Sequence, residues 1–147
     1  MKLSTRSTYG VRAMLVLAQQ SGTRPVMVKE IADQQNLPPT YLEQLMVLLK
    51  KANLVNATRG AHGGYVLARS AAEITLAEII EVLEGSLTLT ECPSGTGCCG
   101  KPEACALHDI WNAAGQALIR VFQDVTLANL VERQRDKESS PTLMYNI

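Results

Sequence analysis

The amino-acid sequence specifies a mainly α-helical fold carrying one small β-hairpin. Apolar residues recur at helical spacing through most of the chain. Two short β-prone runs, 54–58 and 65–68, flank the glycine-rich tip Arg59-Gly60-Ala61-His62-Gly63-Gly64. Directly ahead of them, two helical patterns are separated only by the turn Asn36-Leu37-Pro38. Helix, turn, helix and hairpin in that order make a winged helix-turn-helix domain, and a long dimerisation helix is predicted to follow it.

Each element has a local cause. The first helix is predicted over about Thr5 to Gln20, with Val11, Met14, Leu15 and Ala18 on one face and Gly22 suited to the turn that ends it. A short helix follows, Val28 to Gln35, and then a third from Pro39 to about Ala52, whose proline occupies a first-turn position where its missing N–H costs nothing. Within it Leu42, Leu45, Met46 and Leu49 follow the core-facing spacing, leaving Thr40, Tyr41, Glu43, Gln44, Val47, Lys50 and Lys51 elsewhere. Thr75-Leu76-Ala77-Glu78 has the spacing of a capping box and opens a helix to about Leu83, ended by Glu84-Gly85. Pro93, Gly95, Gly97, Gly100 and Pro102 predict an irregular loop up to Ala104. A single helix is then expected from about Cys105 to Arg133. Its stripe of Leu107, Trp111, Ala114, Leu118, Val121, Phe122 and Val125 is too long for so small a domain to cover, which calls for the matching helix of a second copy. The resulting organisation is 1–70, winged helix-turn-helix; 71–104, connecting helix and cysteine-rich loop; 105–135, dimerisation helix; and 136–147, a flexible polar tail.

The 147 residues are 46% apolar, enough for one good core or for a small domain plus a dimerisation element. There is no long uncharged apolar run and no basic-then-apolar leader, so a cytoplasmic chain without a membrane partner is expected. The net charge of zero conceals a division. Residues 1–70 hold nine Lys and Arg against three acids, whereas residues 71–147 hold five against eleven. A basic half joined to an acidic half fits a polyanion-binding module with a separate sensor or partner region. Enzyme chemistry has little to stand on, with two histidines, no phosphate-binding glycine loop and no paired histidine motif.

The third helix is the natural reader of duplex DNA, since the first residues of a recognition helix point into the major groove. Glu43 stands out in a basic domain. Its carboxylate can accept from a cytosine amino group, and Gln44 can pair with adenine. Thr40 and Tyr41 suit phosphate or methyl contacts, and Lys50 at the basic end suits phosphate. In the wing, Arg59 beside Gly60 can enter a narrow minor groove. Two such units in a two-fold dimer select a near-palindromic operator with half-sites about 34 Å apart.

All four cysteines, Cys92, Cys98, Cys99 and Cys105, fall within fourteen positions, and His108 follows the last by three residues. In a reducing compartment such a cluster suits metal binding or redox sensing better than structural disulfides. Thiolates favour iron–sulfur clusters, zinc and Cu(I). The five- and six-residue gaps depart from the paired knuckles of structural zinc sites. A thiol switch or a zinc site without a cluster is the alternative.

Here the chain resembles the iron–sulfur cluster regulator (IscR/NsrR-like) family of winged-helix transcription regulators. The likeness rests on Met1-Lys2-Leu3-Ser4-Thr5, on Tyr41-Leu42-Glu43-Gln44-Leu45, on Arg59-Gly60 with Gly63-Gly64-Tyr65, and on the cysteine loop closing in Cys105-x2-His108-x2-Trp111. The resemblance implies a homodimeric DNA-binding regulator, such as a repressor, that senses iron, oxygen or nitric oxide through a bound cluster. It assigns Cys92, a middle cysteine, Cys105 and His108 as ligands. Cys99 keeps the more constant second gap and is preferred as the middle ligand; Cys98 keeps the first gap and is the alternative. Three thiolates and one imidazole favour a 2Fe–2S centre over 4Fe–4S, and the neutral imidazole raises its potential.

Overall fold

The computed structural model describes residues 3–22, 24–60, 62–88 and 106–139. Six helices and one antiparallel hairpin follow in the order α1 (Thr5–Gln19), α2 (Val28–Gln35), α3 (Pro39–Lys51), β1 (Val55–Thr58), β2 (Gly64–Leu67), α4 (Leu76–Glu84), α5 (Ala106–Gln123) and α6 (Leu127–Ser139). The mainly helical winged-helix expectation therefore holds, and most boundaries lie within a residue or two of those read from the sequence.

Local chemistry accounts for the ends. Ser4 caps α1 by accepting from the Arg6 amide at 3.1 Å, and its own N–H donates to Glu84 Oε1 at 2.8 Å, tying the start of α1 to the end of α4. Asn36 ends α2 in a left-handed conformation. Pro39 sits in the first turn of α3. The capping box is present in α4. The Thr75 N–H donates to Glu78 Oε2 at 2.9 Å while the Glu78 N–H donates to Thr75 Oγ1 at 3.2 Å.

One core joins nearly all of this. Met14 and Leu17 of α1, Ile31 of α2, Leu42, Leu45, Met46 and Leu49 of α3, Leu54 before β1, and Ile79 and Leu83 of α4 are all buried. The α1–α4 packing is close enough that a methyl group on Gly10 would lie 2.2 Å from Leu83 Cδ1. The hairpin pairs Val55 with Leu67 and Thr58 with Gly64, and the wing is anchored a second time. Val26, in the α1–α2 linker, exchanges both backbone hydrogen bonds with Tyr65 at 2.9 and 2.8 Å. A Cβ at Gly64 would come within 2.6 Å of the Val26 backbone, and the residue has φ +151°, so this approach requires glycine.

The single helix expected over 105–133 is instead two. The chain breaks at Asp124–Thr126, and Thr126 starts α6 with a reciprocal cap: its N–H donates to Asn129 Oδ1 at 3.0 Å, and the Asn129 N–H donates to Thr126 Oγ1 at 3.3 Å. The break lets the backbone pair with the start of α4, Leu76 N–H to Val125 O at 2.8 Å and Leu127 N–H to Ile74 O at 2.9 Å. It also turns Leu127 and Val131 into the core against α1. Burial of those two side chains outweighs continuity of one helix. In addition, α6 runs to Ser139, past Asp136, where the sequence reading begins the tail.

Candidate nucleic-acid interface and metal ligands

With Leu42, Leu45, Met46 and Leu49 turned inward, α3 presents the opposite stripe, and Thr40, Glu43, Gln44 and Val47 are exposed along it. Tyr41 is placed differently from those neighbours. It is half-buried, its ring edge-on to Tyr9 with centroids 6.1 Å apart and planes at 76°. Lys50, Arg59 and Gly60 are exposed.

Of the residues marked out by the sequence, Glu43 and Gly60 meet across one groove, whereas Thr40, Tyr41, Gln44, Lys50 and Arg59 do not line it. An open groove of about 500 Å³ between α3 and the hairpin is lined by Glu43 and Val47 on one wall and by Thr58, Gly60, Gly63 and Gly64 on the other. Met27, Val28 and Lys29 at the start of α2 close its end. Lys29, Met27 and Thr58 belong to no motif in the sequence; Lys29 is marked only as one of the nine cations of residues 1–70.

The charge of the face survives local pairing. Arg24 forms a two-pronged pair with Glu30, at 3.0 and 2.8 Å, which holds the Glu30 carboxyl below its usual range. Arg69 is held by Glu78 at 2.7 Å, and Arg12 is spent on Gln35. Among the described residues, Lys29, Lys50, Lys51 and Arg59 have no carboxylate partner and remain available to phosphate.

Of the metal-ligand set, only His108 belongs to the described residues; Cys92, Cys98, Cys99 and Cys105 lie outside them. Among the described residues no three His, Cys, Asp or Glu side chains gather around a point. His108 sits in the first turn of α5, next to the end of the cysteine segment. Its contacts are loose: Nδ1 lies 3.4 Å from Asp109 Oδ1, and Nε2 lies 3.2 Å from Asn112 Nδ2. Turning the ring towards a metal would break no buried hydrogen bond, so the donor chemistry fits a thiolate-and-imidazole centre.

Fold, groove and charge together define a winged-helix DNA-binding transcription regulator. The chain belongs to the Rrf2 family, described as iron-dependent transcriptional regulators, whose model matches residues 3–133. It is 38% identical to the protein rrf2 of Nitratidesulfovibrio vulgaris over 147 residues, covering 100% of this chain and 96% of that one. Among solved structures, IscR of T. potens is 37% identical with a TM-score of 0.79, covering 99% of this chain and 96% of that one. CymR, the global cysteine regulator of B. subtilis, is 35% identical with a TM-score of 0.77, covering 90% and 98%. The chain is thus an IscR-like regulator, and its family consists of regulators rather than enzymes. No helix among the described residues is long and apolar enough to cross a membrane.

Proposed function

We propose that this is a cytoplasmic, homodimeric regulator that senses iron–sulfur cluster status and reads a near-palindromic operator. The observation that carries the DNA half is the groove, where Glu43 and Val47 of α3 meet the wing beside the unpaired Lys29. Thr40, Glu43 and Gln44 meet base edges or phosphate, Tyr41 supports them from its place against Tyr9, Lys50 takes phosphate, and Arg59 with Gly60 follows the minor groove. The dimer half is supported by α5. Leu107, Ile110, Trp111 and Val121 are 45–61% exposed, and Leu107, Trp111, Ala114, Leu118 and Val121 follow one another at four- and three-residue steps, a seam that a second copy would cover.

In the sensor half, Cys92, Cys99 and Cys105 with His108 would hold a 2Fe–2S cluster, Cys98 being the alternative middle thiolate and 4Fe–4S the less favoured centre. The cluster supplies a redox- and oxidant-sensitive group. His108, at the first turn of α5, links its presence to the dimer helix. Anaerobic purification with iron and sulfide quantitation tests this. Two irons per chain with a visible chromophore, lost in Cys105→Ala, is the expected result, and a colourless protein without sulfide would refute it. A second reading, a cysteine redox switch or zinc site without a cluster, is favoured by the adjacent Cys98-Cys99, which leaves one thiol beyond the four ligands.

A further inference from the structure

The outward stripe of α3 contains a residue that polar recognition does not explain. Val47 follows Glu43 by four positions and is 46% exposed; in the same groove Met27 is 42% exposed. Val47 is not a misplaced core residue, because the core side of α3 is already filled by Leu42, Leu45, Met46 and Leu49 at 1% exposure or less. Two apolar side chains therefore share an open groove with a carboxylate, between Lys29 on one flank and the wing on the other.

We infer that Val47 and Met27 are specificity-determining residues that pack against thymine 5-methyl groups in the major groove, beside the base met by Glu43. This rests on the DNA-binding reading of the same groove. The major-groove edges of the four bases offer one apolar group, the thymine methyl. Pressed against any other edge, Val47 would strip water from a base donor or acceptor without replacing its hydrogen bond, which costs affinity. The unpaired Lys29 at the groove end supplies the charge that holds the duplex against this wall. Glu43 and Val47 then divide the work along one turn of helix, the first selecting an amino group and the second a methyl group.

The test uses the full-length protein and duplexes recovered by it from a randomised pool. Each thymine is replaced in turn by deoxyuridine, which removes only the methyl group, and binding is followed by fluorescence anisotropy at fixed salt. Wild type should lose about three- to fivefold at one or two positions per half-site, the worth of one buried methyl. Val47→Ala should lose that sensitivity at its position, Met27→Ala at the neighbouring one, and Val47→Ile should retain it. Both side chains are exposed, so unchanged thermal melting will show that the variants fold. The inference is overturned if wild type ignores every thymine replacement, if the recovered duplexes share no thymine, or if Val47→Ala keeps the full wild-type sensitivity. Recovery of no duplex at all would sink the DNA-binding reading beneath it.

Discussion

The winged unit and α5 solve burial in opposite ways. In α1 to α4 and the hairpin, almost every large apolar side chain is covered by the chain itself, and the outward residues are polar or charged apart from a few. In α5 the relation is reversed. Ile119 and Phe122 near its end pack against the patch formed by Ala77, Ile80 and Leu87, but Leu107, Ile110, Trp111 and Val121 face outward. One part is finished within a single polypeptide, and the other leaves an apolar face that the proposed dimer would cover.

Breaking either side of that contrast should give a different readout. Leu42→Ala strikes the self-sufficient part, and unfolding followed by denaturant should show a loss of about 2–5 kcal/mol. Trp111→Ala strikes the other; sedimentation equilibrium should show a dimer dissociation constant raised about thirtyfold or more. The wild-type melting temperature should rise with protein concentration, and that dependence should disappear in Trp111→Ala. A monomeric wild type at all concentrations would remove the second half of the comparison.

Smaller changes sharpen it. Thr126→Ala removes the cap that starts α6 and should cost about 1 kcal/mol, seen as earlier hydrogen exchange of α6 than of α5. Arg59→Ala should leave stability alone but weaken DNA binding and reduce the slope of log affinity against log salt by about 1. Glu78 gives the least. Burial pushes its carboxyl up, but the Thr75 amide, Arg69 and the Thr75 hydroxyl together outweigh that and hold it below its usual value. A carboxyl lowered by folding stabilises the protein above its unfolded pKa, and the gain fades as pH falls through its lowered folded value. The melting advantage of wild type over Glu78→Gln should accordingly be present at neutral pH and vanish in acid.

Where a boundary depended on neighbouring residues, the sequence was enough. Asn36-Leu37-Pro38, Pro39 and the Thr75–Glu78 box each act over a few positions, and the structure follows them. The division of α5 from α6 was harder to see. Val121, Phe122 and Val125 carry the apolar rhythm into the break, and Thr126 with Asn129 is a weaker signal than a glutamate or glutamine cap. Only the gain from seating Leu127 and Val131 against α1 decides the matter, and that gain is tertiary. The Val26–Tyr65 bridge is a single residue pair with no period to read. The exposed side of α3 was legible from its two faces, whereas Met27 and Lys29 join the groove through the arrangement of three elements. His108 is proposed as a ligand from its distance to Cys105 alone, and the cysteines lie outside the described residues.

The return of α6 onto α1 has a practical consequence for anyone dissecting this polypeptide. The DNA reader looks separable after its hairpin, yet Leu127 and Val131 come home to its interior from far downstream. A fragment trimmed at residue 85 would carry a raw greasy flank on α1, and its clumping would be mistaken for loss of DNA recognition. Co-expressing residues 124–139 as a separate peptide should heal that wound in trans.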